Sequence, residues 1–353
     1  MPASALPSRI QDLPPNWARF CLGIERFLLH DLSLPIRDSR FLLSCSAGSD
    51  STALLMVLHC LAPRLGITII VAHLDHGLRP ESAAEARQLA DLCARLGRSI
   101  LTGHGNVAKY AQRRGIGLEE AGRDLRYRFL FAMHRRVDAD YLVTAHHADD
   151  LAEDLLMRLI RGVGWPALSG MPCWDPGRRL LRPLLHTPKQ TLRDFLRDIG
   201  LTWAEDPSNV RLEHTRNRVR LELLPLLVRE NPRFLSSVIR LHQQGSQDAD
   251  FFDSQIASLL ERTAGQSRVL DSSLLASLHP SLRLRLYKAV IEELGPGQVL
   301  HDSVLRLDRA WQHGTRRATL QFPGGKTALV TPEGVRFLPS QTEPNLESPN
   351  QCD

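Results

Sequence analysis

The chain has 353 residues, of which 43% are hydrophobic and 24% are charged, and its formal net charge at pH 7 is +5. This length suits two or three domains, and the composition is that of an ordinary globular protein. No apolar run approaches the roughly 18 residues of a membrane span, and residues 1–13 lack the blocks of a signal peptide, so we expect a cytoplasmic protein without a membrane partner.

The basic balance and the cysteine spacing set two further expectations. A pI near 9.0 permits a nucleic-acid partner without requiring one. The six cysteines are scattered and form no C-x-x-C pair. Such spacing indicates buried free thiols, with neither a disulfide framework nor a zinc or iron–sulfur site.

The first predicted elements are an amphipathic helix over residues 17–28 and a strand over residues 41–43. The strand leads into a loop of small and hydroxylated residues with the pattern S-x-G-x-D-S, followed by a helix. The loop consists of Ser46, Ala47, Gly48, Ser49, Asp50 and Ser51. Small side chains let backbone N–H groups approach an anion, hydroxyls add donors, and the helix contributes its positive dipole end.

This loop therefore predicts a site for a phosphorylated ligand. A Walker A loop would need a lysine, and no lysine precedes Lys109, which argues against a P-loop kinase or GTPase. We expect Asp50 to act with Mg²⁺, because an acid facing polyphosphate is repelled unless a cation lies between them. Ala47 keeps its N–H donor but adds a Cβ, so we expect this position to have dihedral angles that L-residues tolerate.

Strands and helices then alternate along the chain, which predicts an α/β, doubly wound parallel sheet. Strands are predicted at residues 67–72, around residue 100 and at 141–144, and helices at 81–96, 118–136 and 148–161. In such a sheet, ligands bind outside the carboxyl ends of the strands. We therefore expect the phosphate loop, residues 73–79 and residues 145–150 to converge on one crevice.

A second polar cluster, with two histidines and four acids, lies at residues 145–154. His146, Asp149 (or Asp150) and Glu153 lie at offsets that place them on one helix face. Such a cluster can hold Mg²⁺, steer a cationic nucleophile or supply a base, although acids also cap helices. A zinc hydrolase is a rival interpretation, but it would leave the phosphate loop unexplained.

The pattern changes after residue 178. We expect a short strand at 180–185, a helix beginning near 187–189, a polar turn at 205–209, and a helix over 216–227 that Pro225 ends or kinks. Residues 232–312 read as mostly helical, and three short strands at 318–322, 327–330 and 335–338 should form a meander. The predicted segments are an N-terminal extension (1–36), a catalytic domain (37–230), a smaller C-terminal α+β domain reached through a helical linker (231–338) and a disordered tail (339–353).

Several motifs together resemble the tRNA(Ile)-lysidine synthetase family of the N-type ATP pyrophosphatase, or PP-loop, superfamily. They are the phosphate loop and residues 73–79, 118–127, 145–153, 158–162, 168–171, 182–185, 206–209 and 216–220, in order. The chain departs from the family pattern at Ala47, Leu151, Asp154 and Ala167. Leu151 and Asp154 put in doubt any substrate contact made by those two side chains.

The resemblance implies an adenine nucleotide α-hydrolase-like fold and a reaction. ATP would adenylate the C2 carbonyl oxygen of the wobble cytidine in a CAU-anticodon isoleucine tRNA, and free L-lysine would displace AMP. The resemblance implies catalytic roles for Asp50, His146, Asp149, Glu153 and Arg126. It implies that His76 binds ATP together with the loop, and that Asp50 and Asp149 bind Mg²⁺. Contacts with substrate or tRNA are implied for Glu153, Asp206, Asn209, Arg216, Arg218 and Arg220. The resemblance also implies that the C-terminal domain, residues 231–338, contacts tRNA, and it leaves room for a homodimer.

Three arginines of that set, Arg216, Arg218 and Arg220, carry positive charge around the start of one helix. We expect them to fan over three directions and contact a curved phosphate backbone, although a solvated basic face would show the same spacing. Three other function classes stay open. They are a tRNA thiolase of the same superfamily, an amidotransferase-linked synthetase such as a GMP synthetase, and a non-catalytic tRNA-binding protein.

Overall fold

The computed structural model describes residues 6–77, 82–204, 215–263, 269–314 and 318–339. The chain forms two compact units, Met1–Gly245 and Ser246–Asp353. The predicted disordered tail, from residue 340 on, and the polar turn with Asp206 and Asn209 lie outside the described residues. The four segments proposed from the sequence remain predictions.

A six-stranded mixed sheet forms the centre of the first unit, in the order β3-β2-β1-β4-β6-β5. Its strands are β1 (Arg40–Ser44), β2 (Thr68–Asp75), β3 (Ser99–His104), β4 (Tyr141–Val143), β5 (Trp174–Asp175) and β6 (Leu180–Leu181). Neighbours pair in parallel except β5, which is antiparallel to β6 at the edge. The predicted doubly wound parallel sheet is confirmed, and the short edge strand β5 is an addition that the sequence did not predict.

Helices cover both faces of this sheet. The helices of this part of the chain are α1 (Pro15–Arg26), α2 (Ser49–Leu65), α3 (Ser82–Arg95), α4 (Val107–Arg114), α5 (Leu118–Arg136), α6 (Ala148–Ile160), α7 (Lys189–Asp198), α8 (Thr215–Arg218), α9 (Leu224–Glu230) and α10 (Phe234–Thr263), which runs on into the second unit. Phe41 and Leu43 pack in one cluster with α2, whereas Leu42 packs with Leu130 of α5 on the other face. All three side chains are fully buried, as expected for a parallel strand covered on both sides. The structure adds α4, which the sequence did not predict.

The segment between α8 and α9 is a π-helical stretch, Val219–Leu223. It ends two residues before Pro225, which has no N–H to donate to the preceding turn. The helix therefore continues past the proline to residue 230 with a widened turn. This stretch and α8 carry Arg216, Arg218 and Arg220.

The second unit combines helices with a four-stranded antiparallel sheet in the order β7-β10-β9-β8. Its further elements are β7 (Val269–Asp271), α11 (Ser272–Ser277), α12 (Pro280–Glu293), α13 (His301–Gln312), β8 (Thr319–Phe322), β9 (Lys326–Thr331) and β10 (Gly334–Leu338). The predicted meander of three strands is present. The helices α10 to α13 agree with the prediction that residues 232–312 are mostly helical, and β7, which pairs with β10, is an addition that the sequence did not predict. Within the described residues, no helix combines the length and the apolarity that crossing a membrane requires.

Candidate active site

The phosphate loop connects β1 to the first turn of α2, at the carboxyl edge of the sheet. The backbone N–H of Ser46 donates to Ser51 Oγ (3.1 Å), and the Ser51 hydroxyl donates to the carbonyl of Gly48 (3.2 Å). Gly48 is the N-cap residue of α2, and no side chain caps this end. The loop is thus held by its own hydroxyls, and the first N–H groups of α2 stay available for an anion.

Ala47 corrects the expectation about its dihedral angles. Its φ is +63°, in the left-handed region that favours glycine. Its carbonyl accepts a hydrogen bond from the backbone N–H of Ala204 (3.1 Å), and the side chain is buried. The alanine therefore occupies a conformation that costs roughly 1 kcal/mol for an L-residue.

His147 joins the phosphate loop to the acidic cluster. Its Nε2 lies 3.4 Å from Asp50 Oδ2 and 3.3 Å from Asp150 Oδ2, and its Nδ1 lies 3.6 Å from Asp149 Oδ2. Lys189, the first residue of α7, adds a second cation, because its Nζ lies 3.5 Å from Asp50 Oδ2. Its backbone N–H also donates to Asp149 Oδ2 (2.9 Å). Elements that follow β1, β4 and β6 thus converge on one point.

The charges in this cluster shift one another's pKa values. Burial lowers the pKa of His147, but the charge of Asp150 and the hydrogen bonds to Asp149 and Asp50 outweigh it and raise that pKa to about 10. Burial raises the pKa of Asp50, and the hydrogen bond and charge of His147, with the charge of Lys189, more than reverse this, so that pKa lies below its ordinary value. At neutral pH the site therefore contains an imidazolium between ionised carboxylates.

Two arginines cover the other side of α6. Arg216 donates from Nε to Glu153 Oε2 (2.9 Å) and from Nη2 to Asp150 Oδ1 (3.1 Å). Arg220 donates to both oxygens of Glu153, at 2.6 Å and 2.9 Å. Glu153 is only 1% exposed. Its charge is buried with two guanidinium partners, as a buried carboxylate requires.

The three arginines point in two directions, which corrects the predicted fan over three. Arg216 and Arg220, four residues apart, share the face that meets α6, as helical spacing demands. Arg218 is exposed, and its Nη2 donates to Thr215 Oγ1 (3.1 Å). Of the three arginines, Arg218 is therefore the one whose charge is directed outward.

The remaining predicted residues lie around this centre. His146 is turned toward Thr144 Oγ1 (2.9 Å), and burial lowers its pKa to about 3, so it is neutral. His76 follows β2, where its carbonyl accepts from the backbone N–H of Val107 (3.4 Å). Arg126 lies on α5 with an exposed side chain, close enough to Arg216 for the two charges to interact.

Sequence reasoning missed His147 and Lys189 as members of the site, and it did not decide between Asp149 and Asp150. His147 stood beside His146 in the same motif, but spacing alone did not separate the two. Asp150, and not Asp149, shares the arginine partners of Glu153. Lys189 had no local signal except its position at the start of a helix that follows a strand. Its role depends on the adjacency of β4 and β6, which only the fold provides.

An anion-binding loop and a charged cluster at the carboxyl edge of a mixed α/β sheet define a nucleotide-binding class of domain. Residues 24–227 match the model of the PP-loop domain. The chain is 44% identical over 321 residues to the tRNA(Ile)-lysidine synthase of Nitratidesulfovibrio vulgaris, which covers 86% of this chain and 92% of that protein. The synthase of Salinispora tropica is 34% identical over 87% of this chain and 93% of its own length. The chain belongs to the tRNA(Ile)-lysidine synthase family.

Two further comparisons are with a relative of lower identity and with a solved structure. The tRNA(Ile)-lysidine synthase of Bacillus subtilis is 30% identical, and the match covers 84% of this chain and 65% of that protein. Among solved structures, the U34-tRNA thiolase NcsA from Methanococcus maripaludis has a TM-score of 0.53 at 14% identity, over 64% of this chain and 78% of that one. This last likeness concerns the fold alone.

Proposed function

We propose that this protein uses ATP to ligate L-lysine to C2 of the wobble cytidine in a CAU-anticodon isoleucine tRNA. In the first step the C2 carbonyl oxygen attacks the α-phosphate of ATP, and pyrophosphate leaves. In the second step the ε-amine of lysine attacks C2, the C–O bond breaks, and AMP leaves. The observation that supports this most is the contact of His147 with both Asp50 of the phosphate loop and the acids of α6.

For the first step, the loop supplies what a departing pyrophosphate needs. The start of α2 and the backbone N–H groups of residues 46–51 can stabilise the negative charge that develops on the leaving oxygens. Lys189 adds a positive charge beside Asp50. These groups are already held in place by the hydrogen bonds within the loop, so little reorganisation is needed.

Mg²⁺ fits the donors at this point. Asp50, Asp149 and Asp150 each direct a carboxylate oxygen at His147 within 3.3–3.6 Å, and carboxylate oxygens are the ligands that Mg²⁺ prefers. Asp50 with Asp149 would hold the ion, which would neutralise charge on the phosphates. The imidazolium of His147 already balances part of the negative charge of these carboxylates.

For the second step, the carboxylates of the cluster suit binding better than proton transfer. Burial raises the pKa of Asp149, but the hydrogen bonds from His147 and from the backbone of Lys189 bring it below its ordinary value. A carboxylate with a lowered pKa is a weak base for an ammonium group. We therefore assign Asp149, which would also hold the ion with Asp50, to binding the α-ammonium of lysine, and Asp150 with Glu153 to positioning Arg216 and Arg220.

We place a tRNA contact on the outward face of the α8 segment. Arg218 is exposed there, while its two neighbours are turned toward α6. Of the three arginines expected to contact a curved phosphate backbone, we therefore retain only Arg218 for that contact, and Arg216 and Arg220 add positive charge near the reacting end. The roles of Asp206, Asn209 and a homodimer stay predictions from the resemblance.

The test is pyrophosphate release, measured with ATP, lysine and isoleucine tRNA present and with each omitted in turn. Pyrophosphate should appear only with ATP and tRNA, and lysine should be needed for AMP release and for a lysine adduct on the tRNA. A tRNA thiolase would need a sulfur donor instead, and a binding protein would release no pyrophosphate. Turnover without tRNA, or a modified tRNA without lysine, would remove the proposed function.

A further inference from the structure

A buried cluster of one cysteine and two histidines lies in the first unit, away from the phosphate loop. Cys173 precedes β5, His186 lies between β6 and α7, and His242 lies on α10. Cys173 Sγ is 3.7 Å from His186 Nε2, and that nitrogen is 3.0 Å from His242 Nδ1. One ligand atom from each residue lies within 4.8 Å of the others. Cys173 and His242 are 6% and 2% exposed, and His186 is half-buried.

The hydrogen bond of His242 fixes where its lone pair points. Its Nε2 lies 2.9 Å from the carbonyl of Met171, which can only accept, so Nε2 carries the proton. In the neutral ring Nδ1 then presents a lone pair toward His186 and Cys173. A ring nitrogen oriented by a backbone carbonyl is the usual arrangement of a metal-binding histidine.

We propose that Cys173 Sγ, His186 Nε2 and His242 Nδ1 bind one Zn²⁺ ion, with a fourth position for water. Tetrahedral bonds of about 2.3 Å to sulfur and about 2.0–2.1 Å to nitrogen place the ligand atoms roughly 3.3–3.6 Å apart. The distances of 3.7 Å and 3.0 Å differ from these by a few tenths of an ångström. On binding, the thiol proton leaves, since the thiolate is the ligand, and the proton of His186 moves from Nε2 to Nδ1, so that Nε2 can bind the ion.

The surroundings suit a structural metal. Cys173 packs in an apolar cluster with Leu151 and Leu185, and the ring of Phe27 lies 5.2 Å from that of His186. The ion would tie the loop before β5 and the loop before α7 to the part of α10 that belongs to the first unit. His186 lies three residues before Lys189, whose ammonium group contacts Asp50. The metal would therefore also hold the segment that brings Lys189 to the phosphate loop.

Cysteine spacing alone led to the expectation that the chain has no zinc site. The three ligands are separated by 13 and 56 residues, so no local pattern marks them. In the absence of metal the same residues would form a buried hydrogen-bonded chain. The experiment must therefore separate metal binding from hydrogen bonding.

The full chain, purified without a histidine tag and kept reduced, is loaded with Zn²⁺, and bound zinc is counted by elemental analysis. Co²⁺ in place of Zn²⁺ reports the thiolate through its sulfur-to-metal charge-transfer band. We expect one ion per chain with that band in the wild type. Cys173→Ser and His242→Gln should weaken binding by more than the about 10–100-fold that loss of an outer contact costs. Cys93→Ser, which removes a buried thiol of α3 outside the cluster, should bind as the wild type does.

X-ray absorption of the zinc-loaded wild type gives a second readout that does not depend on variants folding. A first shell of one sulfur and two imidazole nitrogens is the expected result. The proposed site would be overturned by a wild type that retains no zinc or by a first shell without sulfur. Zinc binding by both Cys173→Ser and His242→Gln as tight as that of the wild type would also overturn it.

Discussion

Each unit buries opposite charges, but it does so in a different way. In the second unit Arg283 and Asp308 form a closed pair, with Nε–Oδ1 at 2.5 Å and Nη2–Oδ2 at 3.0 Å. Their side chains are only 5% and 9% exposed, and the guanidinium group lies 4.9 Å from the ring centroid of Trp311. This bidentate arrangement leaves neither partner accessible to a ligand.

In the first unit the charges are shared and partly open. The side-chain nitrogens of His147 and Lys189 lie 3.3–3.6 Å from carboxylate oxygens of three acids. The side chains of Asp50 and Lys189 are 27% and 32% exposed. A carboxylate that divides its contacts among several cations can exchange one of them for a charged group of a substrate. Geometry and access, rather than the number of buried charges, therefore distinguish a functional cluster from a structural pair.

The largest effect that this comparison predicts is on catalysis. Asp50→Asn should lower pyrophosphate release by at least about 100-fold, because it removes a carboxylate that faces the phosphates and can hold Mg²⁺. Its stability should change by no more than about 1 kcal/mol, since the group is partly exposed. Release is measured with ATP, lysine and isoleucine tRNA, and the fold by circular dichroism and melting. Asp194→Asn, which alters an exposed pair with Arg197, is the control. Unchanged release by the Asp50 variant would remove its assignment.

The same substitution in the closed pair should act on stability. Asp308→Asn leaves the charge of Arg283 buried without a full counter-charge and should cost roughly 3–5 kcal/mol of unfolding free energy. Urea denaturation measures this. Replacing both partners, as Arg283→Met with Asp308→Leu, should recover much of the loss, and Glu292→Gln in an exposed pair with Lys288 should cost less than about 1 kcal/mol. A mild effect of the single variant would show that the two clusters do not differ as described.

The fold of the first unit could be predicted in outline because its signals are local. The run at residues 41–43 and the loop pattern after it mark a strand, a turn and a helix within a few residues of one another. The convergence of Asp50 with the acids after β4 followed from the rule that parallel strands end at one edge. By contrast, Arg216 and Arg220 reach Glu153 across 63 and 67 residues, which no periodicity encodes.

The elements that were missed are short. The strand β7 has three residues and β5 has two, too few for alternation to be recognised. Each forms because a neighbouring strand offers unpaired backbone groups, β10 in one case and β6 in the other. Such pairing is a property of the folded chain. The same holds for the histidine and cysteine ligands of the proposed zinc site, which only the fold brings together.

We also expect the stability that the charged cluster around His147 provides to depend on pH. The pKa of His147 is raised from 6.5 to about 10 in the folded protein, so its contribution to stability is complete below pH 6.5 and is lost as pH rises toward 10. The acids around it have lowered pKa values, and their contribution is lost only as pH falls below their ordinary range. Thermal melting between pH 6.5 and 9.5 should therefore show a fall that His147→Gln flattens. His30→Gln, at an exposed position, should keep the wild-type slope. Equal slopes in all three proteins would mean that His147 is neutral in the fold.

The smallest predicted effect concerns backbone strain, where the units also differ. Among the described residues of the second unit, every position with positive φ is a glycine, whereas the phosphate loop places Ala47 at +63°. Ala47→Gly should relieve that strain, and because glycine also loses more entropy on folding, the net gain should be about 0.5 kcal/mol. Ala53→Gly makes the same chemical change inside α2, where the backbone is helical, and should instead cost about 1 kcal/mol or more. Urea denaturation of the two variants compares these signs directly. If Ala47→Gly destabilised the protein as Ala53→Gly does, the left-handed alanine would be unstrained, and its Cβ would contribute packing that outweighs the cost of its φ.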